Sequence, residues 1–481
     1  MERIHDVAIV GAGVSGANIA RRLSAYELDV ALLEKEEDVS FGVSKANSGI
    51  VHGGFHHDGR YLKSRLEIRG AAMFDRLAEE LDFPFERCGI VVVALHADDM
   101  GAVGQLYERG RSNGAPGIEM CSRERMLELE PCLSPETVGG LFAPRGGIVE
   151  PYRFVFALVE SALKNGVSLR TGWKLERAGR EGGSGDKAAW RLHATSGDSL
   201  LARRVVNAAG LRADEVSRIL GAEDFAIQGR KGQYWLLDRL ARSKPGRVIF
   251  PVPSHVSKGM LVIPTVEGTV LLGPTATEDP DRDDLATTRE ELEYILRSAR
   301  NLVPGISETD VITTFSGMRP VLGEDFMICL SERVPGLVQV AGIQSPGLTA
   351  SPAIGEHVVE LLAKDGLALV PKKDWNPRVD RVPRARELSA EELDRLIEKD
   401  PAWGSIVCRC ERVSEAEIVE AIRSGHRTLD GIKYRTRAQM GRCQGGFCGS
   451  RILHILMRET GMAPEEITKR GGTTTVIGGS R

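Results

Sequence analysis

The chain opens on an apolar run, Ile4-His-Asp-Val-Ala-Ile-Val10, then a glycine turn, helical spacing from about Val14 to Tyr26, and a second apolar run ending at Glu34. That pattern predicts a βαβ unit over residues 4–34. Leu62, Leu66, Ala71, Phe74, Leu77 and Leu81 recur at helical intervals and predict a helix over 60–83. Residues 89–95 (GIVVVAL) read as a strand, about 97–112 as a helix, and Glu150-Pro151-Tyr152 as the start of a helix running to Lys164. Alternating strands follow over 166–206, the last entering a glycine turn at Gly210. Residues 225–275 are strand-rich and suit a mixed or antiparallel sheet. A helix at about 288–301, a late strand in VPGLVQVAG and a helix at about 350–364 complete the body. Residues 366–388 carry Pro371, Pro377 and Pro383 among many charges and read as a linker. A compact domain is expected at 389–468, with a mobile tail at 469–481.

Length and composition narrow the class. A chain of 481 residues is too long for one ordinary domain. With 42% hydrophobic and 27% charged residues it is an ordinary globular chain, and a formal charge of −4 argues against general binding to nucleic acid or anionic membrane. The N-terminus enters a strand almost at once, so no signal peptide is expected, and no apolar run reaches the roughly 20 residues of a spanning helix. A cytoplasmic location is expected, and peripheral attachment to a membrane through a partner is the alternative left open.

Gly11, Gly13 and Gly16 follow a strand and open a helix. Their roles would be a tight turn, close backbone approach to a pyrophosphate, and close packing of helix on sheet. The pyrophosphate would lie at the helix N-terminus. Glu34 ends the second strand, where an acid accepts hydrogen bonds from a ribose. Two later glycine turns, at 205–210 ending on Gly210 and at 342–351 with Gly347, Leu348 and Thr349, favour FAD over NAD, because nucleotide domains for NAD are seldom scattered over 350 residues. The loop Asn47-Ser48-Gly-Ile-Val-His52-Gly-Gly-Phe55 is small and flexible enough to lie against a flavin ring. His52 is the best general base in it, since oxidising an alcohol or amine requires a proton acceptor. His56 and His57 are weaker candidates.

On NSGIVHGG (47–54), 106–131, NAAGLRADEVSRILG (207–221), 250–276, FSGMRPV (315–321) and QSPGLTASPAIGE (344–356), the body over about 1–365 resembles the D-amino-acid-oxidase-like superfamily of FAD enzymes. Within it the chain is similar to the glycerol-3-phosphate dehydrogenase and L-2-hydroxyglutarate dehydrogenase branches. The resemblance implies an α/β fold in which a Rossmann-like FAD domain (about 1–95, 150–220 and 310–365) is interleaved with a mixed-sheet α+β substrate domain (about 96–149 and 221–309). It also implies that His52 and Ser48 lie near the flavin and that Arg319 faces the substrate. A guanidinium there suits a carboxylate or phosphate, which it can grip in two places. Lys231 and Lys258 are weaker anion contacts. The chain departs from the membrane glycerol-3-phosphate dehydrogenase pattern at His56 and at Gln344-Ser345, where that branch carries an arginine and a lysine.

Half of the eight cysteines lie within 41 residues, as Cys408-x-Cys410 and Cys443-x4-Cys448. Four thiolates can hold zinc or an iron–sulfur cluster. A C-x-C pair followed by C-x4-C is atypical for zinc. Over Ser405–Arg451 the segment resembles the bacterioferritin-associated-ferredoxin-like domain, which implies that these four cysteines ligate a [2Fe–2S] cluster in a small helical domain. Cys88, Cys121, Cys132 and Cys329 are scattered and read as small buried hydrophobes. The combined expectation is an FAD-dependent dehydrogenase of a small anionic secondary alcohol, with sn-glycerol 3-phosphate first. L-2-hydroxyglutarate oxidation or an amino/imino-acid dehydrogenase subunit are the alternatives. Electrons would leave through the cluster to a second flavoprotein subunit or a quinone-linked partner, and an oligomer is expected.

Overall fold

The computed structural model describes residues 2–182, 188–253 and 259–478. The chain divides into two compact units. One comprises 1–34 and 40–379, and the other 35–39 and 380–481.

The first unit holds two large sheets. Strand Ile4–Val10 lies in the middle of one, parallel to Val30–Leu33 on one side and Ser199–Asn207 on the other. Val7, Ala8 and Ile9 are fully buried in it, as the unbroken apolar run requires of a strand covered on both faces. Ser199–Asn207 is shared along its length. Its start pairs antiparallel with Ala189–Ala194, and its end runs parallel to Leu337–Ala341. The late strand therefore returns to the sheet begun by the N-terminus. Helix Val14–Leu23 runs back over this sheet and packs on helix Gly347–Lys364, where a Cβ on Gly355 would lie 3.0 Å from the Asn18 carbonyl oxygen. Helix Leu62–Ala71 reaches the same helix through Gly70, whose added Cβ would lie 2.2 Å from the Thr349 oxygen. Small residues thus set how closely these three helices approach.

Among the described residues the second sheet has nine strands. Its spine is the antiparallel pair Gln228–Leu237 and Val311–Val321, in which Arg230 stands opposite Arg319. Two strands belong here rather than with the nucleotide-binding segments expected to hold them. Ile90–Ala94 pairs with Val248–Pro251 and Gly139–Ala143, and Val311–Val321 pairs with Gln228–Leu237. An apolar run reports burial, while its sheet depends on partners far away in sequence. The helix expected over 60–83 is two, Leu62–Ala71 and Phe74–Glu80.

The stretch expected to be a linker is tied down over most of its length. The Lys372 N–H donates to the Ala25 carbonyl at 2.9 Å, Asn376 N–H to Asn165 Oδ1 at 2.9 Å, and Val379 N–H to the Glu80 carbonyl at 2.9 Å. Backbone groups paired one by one leave no hydrophobic period to read in the sequence.

In the second unit, strands Ile406–Cys408 and Val413–Ser414 form a short ladder. Helices Glu415–Arg423, Leu429–Thr436 and Gly449–Thr460 enclose a core of Val407, Ile418, Ile422, Ile432, Ile452 and Leu456. The reciprocal cap between Ser414 and Glu417 starts the first helix. Asp38 belongs to this unit, and its carboxylate meets His426 Nδ1 at 2.6 Å. The expected tail is partly built in. The Asp430 N–H donates to the Lys469 carbonyl at 2.7 Å, and Val476 N–H to Ile467 at 3.2 Å. No described helix is long and apolar enough to cross a membrane.

Candidate flavin site and cysteine centre

The glycine turn needs its glycines for identifiable reasons. Gly11 has φ +107, and a Cβ there would lie 2.5 Å from the Ala208 carbonyl oxygen. A Cβ on Gly16 would lie 1.9 Å from the Gly11 oxygen. The strand–turn–helix and the 205–210 turn therefore press together, joined by the Ala208 N–H to Val10 carbonyl bond at 2.9 Å. Glu34 is buried against the turn and accepts the Ala12 N–H at 2.9 Å. Gly13 faces Ser44, whose hydroxyl accepts the Val14 N–H at 2.9 Å. Ser44 caps the helix start from 30 residues downstream and has no motif to announce it. Gly210 has φ +57 and open space around it.

The histidine loop is braced by side chains that no motif marks. The Glu67 carboxylate accepts the Gly54 N–H at 2.9 Å, Arg109 donates to the His56 carbonyl at 3.0 Å, and Asn113 donates to the Gly54 and His57 carbonyls at 2.9 and 2.8 Å. His52 is buried. Its N–H donates to Thr349 Oγ1 at 3.0 Å, and its Nε2 lies 3.3 Å from the Ser345 hydroxyl. Thr349 also donates to the Ile50 carbonyl at 3.2 Å, so its hydroxyl ties the start of the Gly347–Lys364 helix to the backbone at Ile50 and His52. Gly347 and Leu348 open the helix, where the first turn has N–H groups without intrahelical partners. The His56 ring lies between Phe55 and Phe250, 4.2 and 4.9 Å away.

Ser48 Oγ lies 3.1 Å from the Tyr234 hydroxyl, and the Tyr234 ring stacks on Phe315 at 4.7 Å. Burial pushes the Tyr234 phenol above its usual range. Arg319 donates through Nε to the Arg230 carbonyl at 3.2 Å, and through Nη2 to Lys231 at 3.2 Å and Thr275 at 2.5 Å. These bonds fix the guanidinium plane and use Nε and Nη2, not Nη1. Burial lowers its pKa from the usual value. Lys231 is placed differently from expectation. Its ammonium sits between Asp279 and Asp284 at 2.7 and 2.5 Å, neutralised by two carboxylates. Lys258 lies outside the described residues.

The four clustered sulfurs come together as two pairs. Cys410 and Cys443 are 3.5 Å apart, and Cys408 shares a hydrogen bond with Cys448. Among the described residues no three His, Cys, Asp or Glu groups close around one point as a single-ion site. N–H groups converge on these sulfurs: Gln439 on Cys408 and Cys448, Glu411 on Cys408, and Phe447 and Gly445 on Cys443. The Phe447 N–H, followed by others, holds the Cys443 thiol below its usual range, and the bond from Cys408 does the same for Cys448. Around them Arg412, Arg437, Gln439 and Gln444 have φ between +48 and +75, although none is glycine. A Cβ on Gly441 would lie 2.5 Å from the Cys410 Cβ. The thiols paired with Cys443 and Cys448, Cys410 and Cys408, are raised, and burial raises the Cys88 and Cys121 thiols to about 11. Of the four scattered cysteines Cys121 is buried, while Cys88, Cys132 and Cys329 are half-buried rather than buried.

Residues 6–361 match the FAD dependent oxidoreductase family. The chain belongs to that family.

This oxidoreductase also carries a BFD-like [2Fe–2S] binding domain over residues 406–458. It is 42% identical to a glycerol 3-phosphate dehydrogenase of Caloramator mitchellensis over 96% of both chains. It is 30% identical to a glycerol 3-phosphate oxidase of Mycoplasma pneumoniae, covering 77% of this chain and 97% of the other. Among solved structures, the dithionite-reduced, FAD-bound L-α-glycerophosphate oxidase from Mycoplasma pneumoniae superposes with a TM-score of 0.74 at 29% identity, over 79% of this chain and 99% of that one. The cofactors of the oxidoreductase are FAD and a [2Fe–2S] cluster. Its residues fit both. Gly11 and Gly16 leave no room for a Cβ against the protein's own backbone, the close strand–turn–helix packing that a dinucleotide-binding turn uses. Four cysteine sulfurs in two close pairs, with backbone N–H groups aimed at them, would supply the sulfur ligands of a [2Fe–2S] cluster.

Proposed function

We propose that this oxidoreductase oxidises sn-glycerol 3-phosphate to dihydroxyacetone phosphate and passes the electrons through its [2Fe–2S] cluster to a protein partner. The observation that carries this reading is the 42% identity to a glycerol 3-phosphate dehydrogenase along nearly the whole of both chains, cysteine domain included. When bound, FAD supplies the hydride acceptor and the cluster supplies one-electron transfer.

The chain's own side chains account for the rest. Gly11, Gly13, Gly16 and the start of helix Val14–Leu23 receive the dinucleotide's phosphates, and Glu34 the ribose. Gly210, Ser48, Gly347 and Leu348 line the flavin end. His52 accepts the hydroxyl proton at Nε2, and Ser345 orients the ring from 3.3 Å. Thr349 holds the His52 backbone. Arg319 presents Nη1 to the substrate's phosphate, a role that a fixed guanidinium performs better than a flexible ammonium. Cys408, Cys410, Cys443 and Cys448 ligate the cluster.

Anaerobic titration tests this reading. Addition of sn-glycerol 3-phosphate should bleach the flavin band and then the cluster band. Bleaching by L-2-hydroxyglutarate, proline or sarcosine, with none by sn-glycerol 3-phosphate, would assign another substrate.

A further inference from the structure

The surface around the cysteine centre differs in charge from the rest of the chain. The protein carries a formal charge of −4, yet residues 405–451 hold nine Lys and Arg against five Asp and Glu. Three of those acids, Glu411, Glu417 and Asp430, are buried, and so are two of the cations, Arg435 and Arg437, which leaves the exposed and half-exposed charges seven to two positive. Arg409, Arg412 and Arg442 are exposed, and each stands within two residues of Cys410 or Cys443. Those two cysteines are half-exposed, while Cys408 and Cys448 are buried, so the Cys410–Cys443 side is the edge of the centre nearest solvent.

At that edge stands Phe447. It is 84% exposed, more than any other large hydrophobic among the described residues, with Leu240 next at 74%. Its backbone N–H reaches Cys443 while its ring stands in water. An isolated exposed apolar residue needs no explanation. An exposed aromatic residue on the loop between Cys443 and Cys448, in a segment that carries the exposed Arg409, Arg412 and Arg442, has the composition of an interface core, where aromatic residues and Arg are enriched.

Resting on the electron path proposed above, we infer that the Phe447 surface with Arg409, Arg412 and Arg442 is the docking face for an acidic one-electron carrier protein. Charge complementarity selects the occupant. Arginines at the rim steer a partner of negative potential, and the ring gives the encounter a dry centre. Oxidation of one secondary alcohol to its ketone releases two electrons and two protons. Two carrier molecules, docking in turn, each take one electron, and the protons pass to water.

The test uses the holoenzyme with sn-glycerol 3-phosphate as donor and three acceptors: rubredoxin as an acidic one-electron carrier, a cationic cytochrome c, and a small redox dye. Wild-type transfer to rubredoxin should fall as salt rises. The double variant Arg409→Glu with Arg442→Glu should lose about 10–100-fold in kcat/KM for rubredoxin, flatten its salt dependence, gain with cytochrome c and leave flavin bleaching unchanged. Lysines at the same two positions should restore the rate. Phe447→Ala should slow transfer to rubredoxin with the salt dependence retained and the visible spectrum of the cluster intact. Rubredoxin reduction equal in wild type and double variant overturns the docking face and leaves the electron path standing. Loss of transfer to quinone in anionic vesicles, with rubredoxin unaffected, overturns it in favour of a membrane face. A cluster that stays oxidised while substrate bleaches the flavin overturns the electron path, and the docking face with it.

Discussion

The two centres solve the same problem in opposite ways. Each must turn backbone N–H groups toward a negatively charged group. The flavin end does it with glycines whose Cβ atoms would strike backbone, at 2.5 Å for Gly11 and 1.9 Å for Gly16. The cysteine end relies largely on residues that carry side chains: Arg412, Arg437, Gln439 and Gln444 all adopt left-handed backbone. Such conformations cost about 1 kcal/mol or more each and persist where the surroundings enforce them. The first cradle is enforced by what is missing, the second by what surrounds it. Glu411, for example, is buried and accepts hydrogen bonds from Arg437 at 3.0 Å and Arg386 at 3.5 Å.

Substitutions at the two cradles can break that contrast. Gly16→Ala should have the largest effect, because the new methyl meets a carbonyl that cannot move without dragging the strand. A cost of about 3 kcal/mol or more is expected, with flavin content near zero, read from the ratio of flavin to protein absorbance. His52→Asn should keep the flavin and lower kcat by about 10²–10⁴-fold in steady-state assays. Ser345→Ala should lower kcat by about fivefold, the loss of one hydrogen bond of about 1 kcal/mol, and should change its pH profile. At the other cradle, Gln444→Gly should retain the full iron content and shift stability by less than about 1 kcal/mol, since glycine adopts the same backbone without strain. Loss of iron in that variant would mean that the Gln444 side chain, whose amide donates to the Met440 carbonyl at 3.1 Å, holds the loop. The smallest effect concerns the scattered thiols. With Cys88 and Cys121 pushed up to about 11, roughly one molecule in a thousand is thiolate at pH 8, so iodoacetamide should leave both unlabelled in the native protein.

The same contrast explains what could be read from the sequence. A glycine cradle is visible because glycine is written in the chain: Gly11, Gly13, Gly16 and the acid at Glu34 meet around one turn, as their spacing suggested. The cysteine spacing was likewise legible. The left-handed residues around it were not, because Arg437 and Gln439 have no compositional mark of their conformation. The braces of the histidine loop were hidden for a related reason. Glu67 and Arg109 lie on helices, and Asn113 just past the end of one, at polar positions that look like any solvated face until the loop is seen to pass there. Lys231 shows the opposite error. In the sequence it reads as a weaker anion contact, but its ammonium is taken by Asp279 and Asp284, some fifty residues away.

The five residues from Lys35 to Val39 have a consequence for how such a protein can be rearranged. They begin one position after Glu34, yet they fold with the cysteine unit, through Asp38 on His426. The gene cannot be cut at a single point into two self-sufficient halves. A chain ending before 380 keeps Asp38 and loses its histidine, while a chain beginning there keeps the histidine and loses its acid. Grafting the cysteine unit onto another flavoenzyme, in the laboratory or by recombination, therefore removes the carboxylate that meets His426 unless residues 35–39 travel with it.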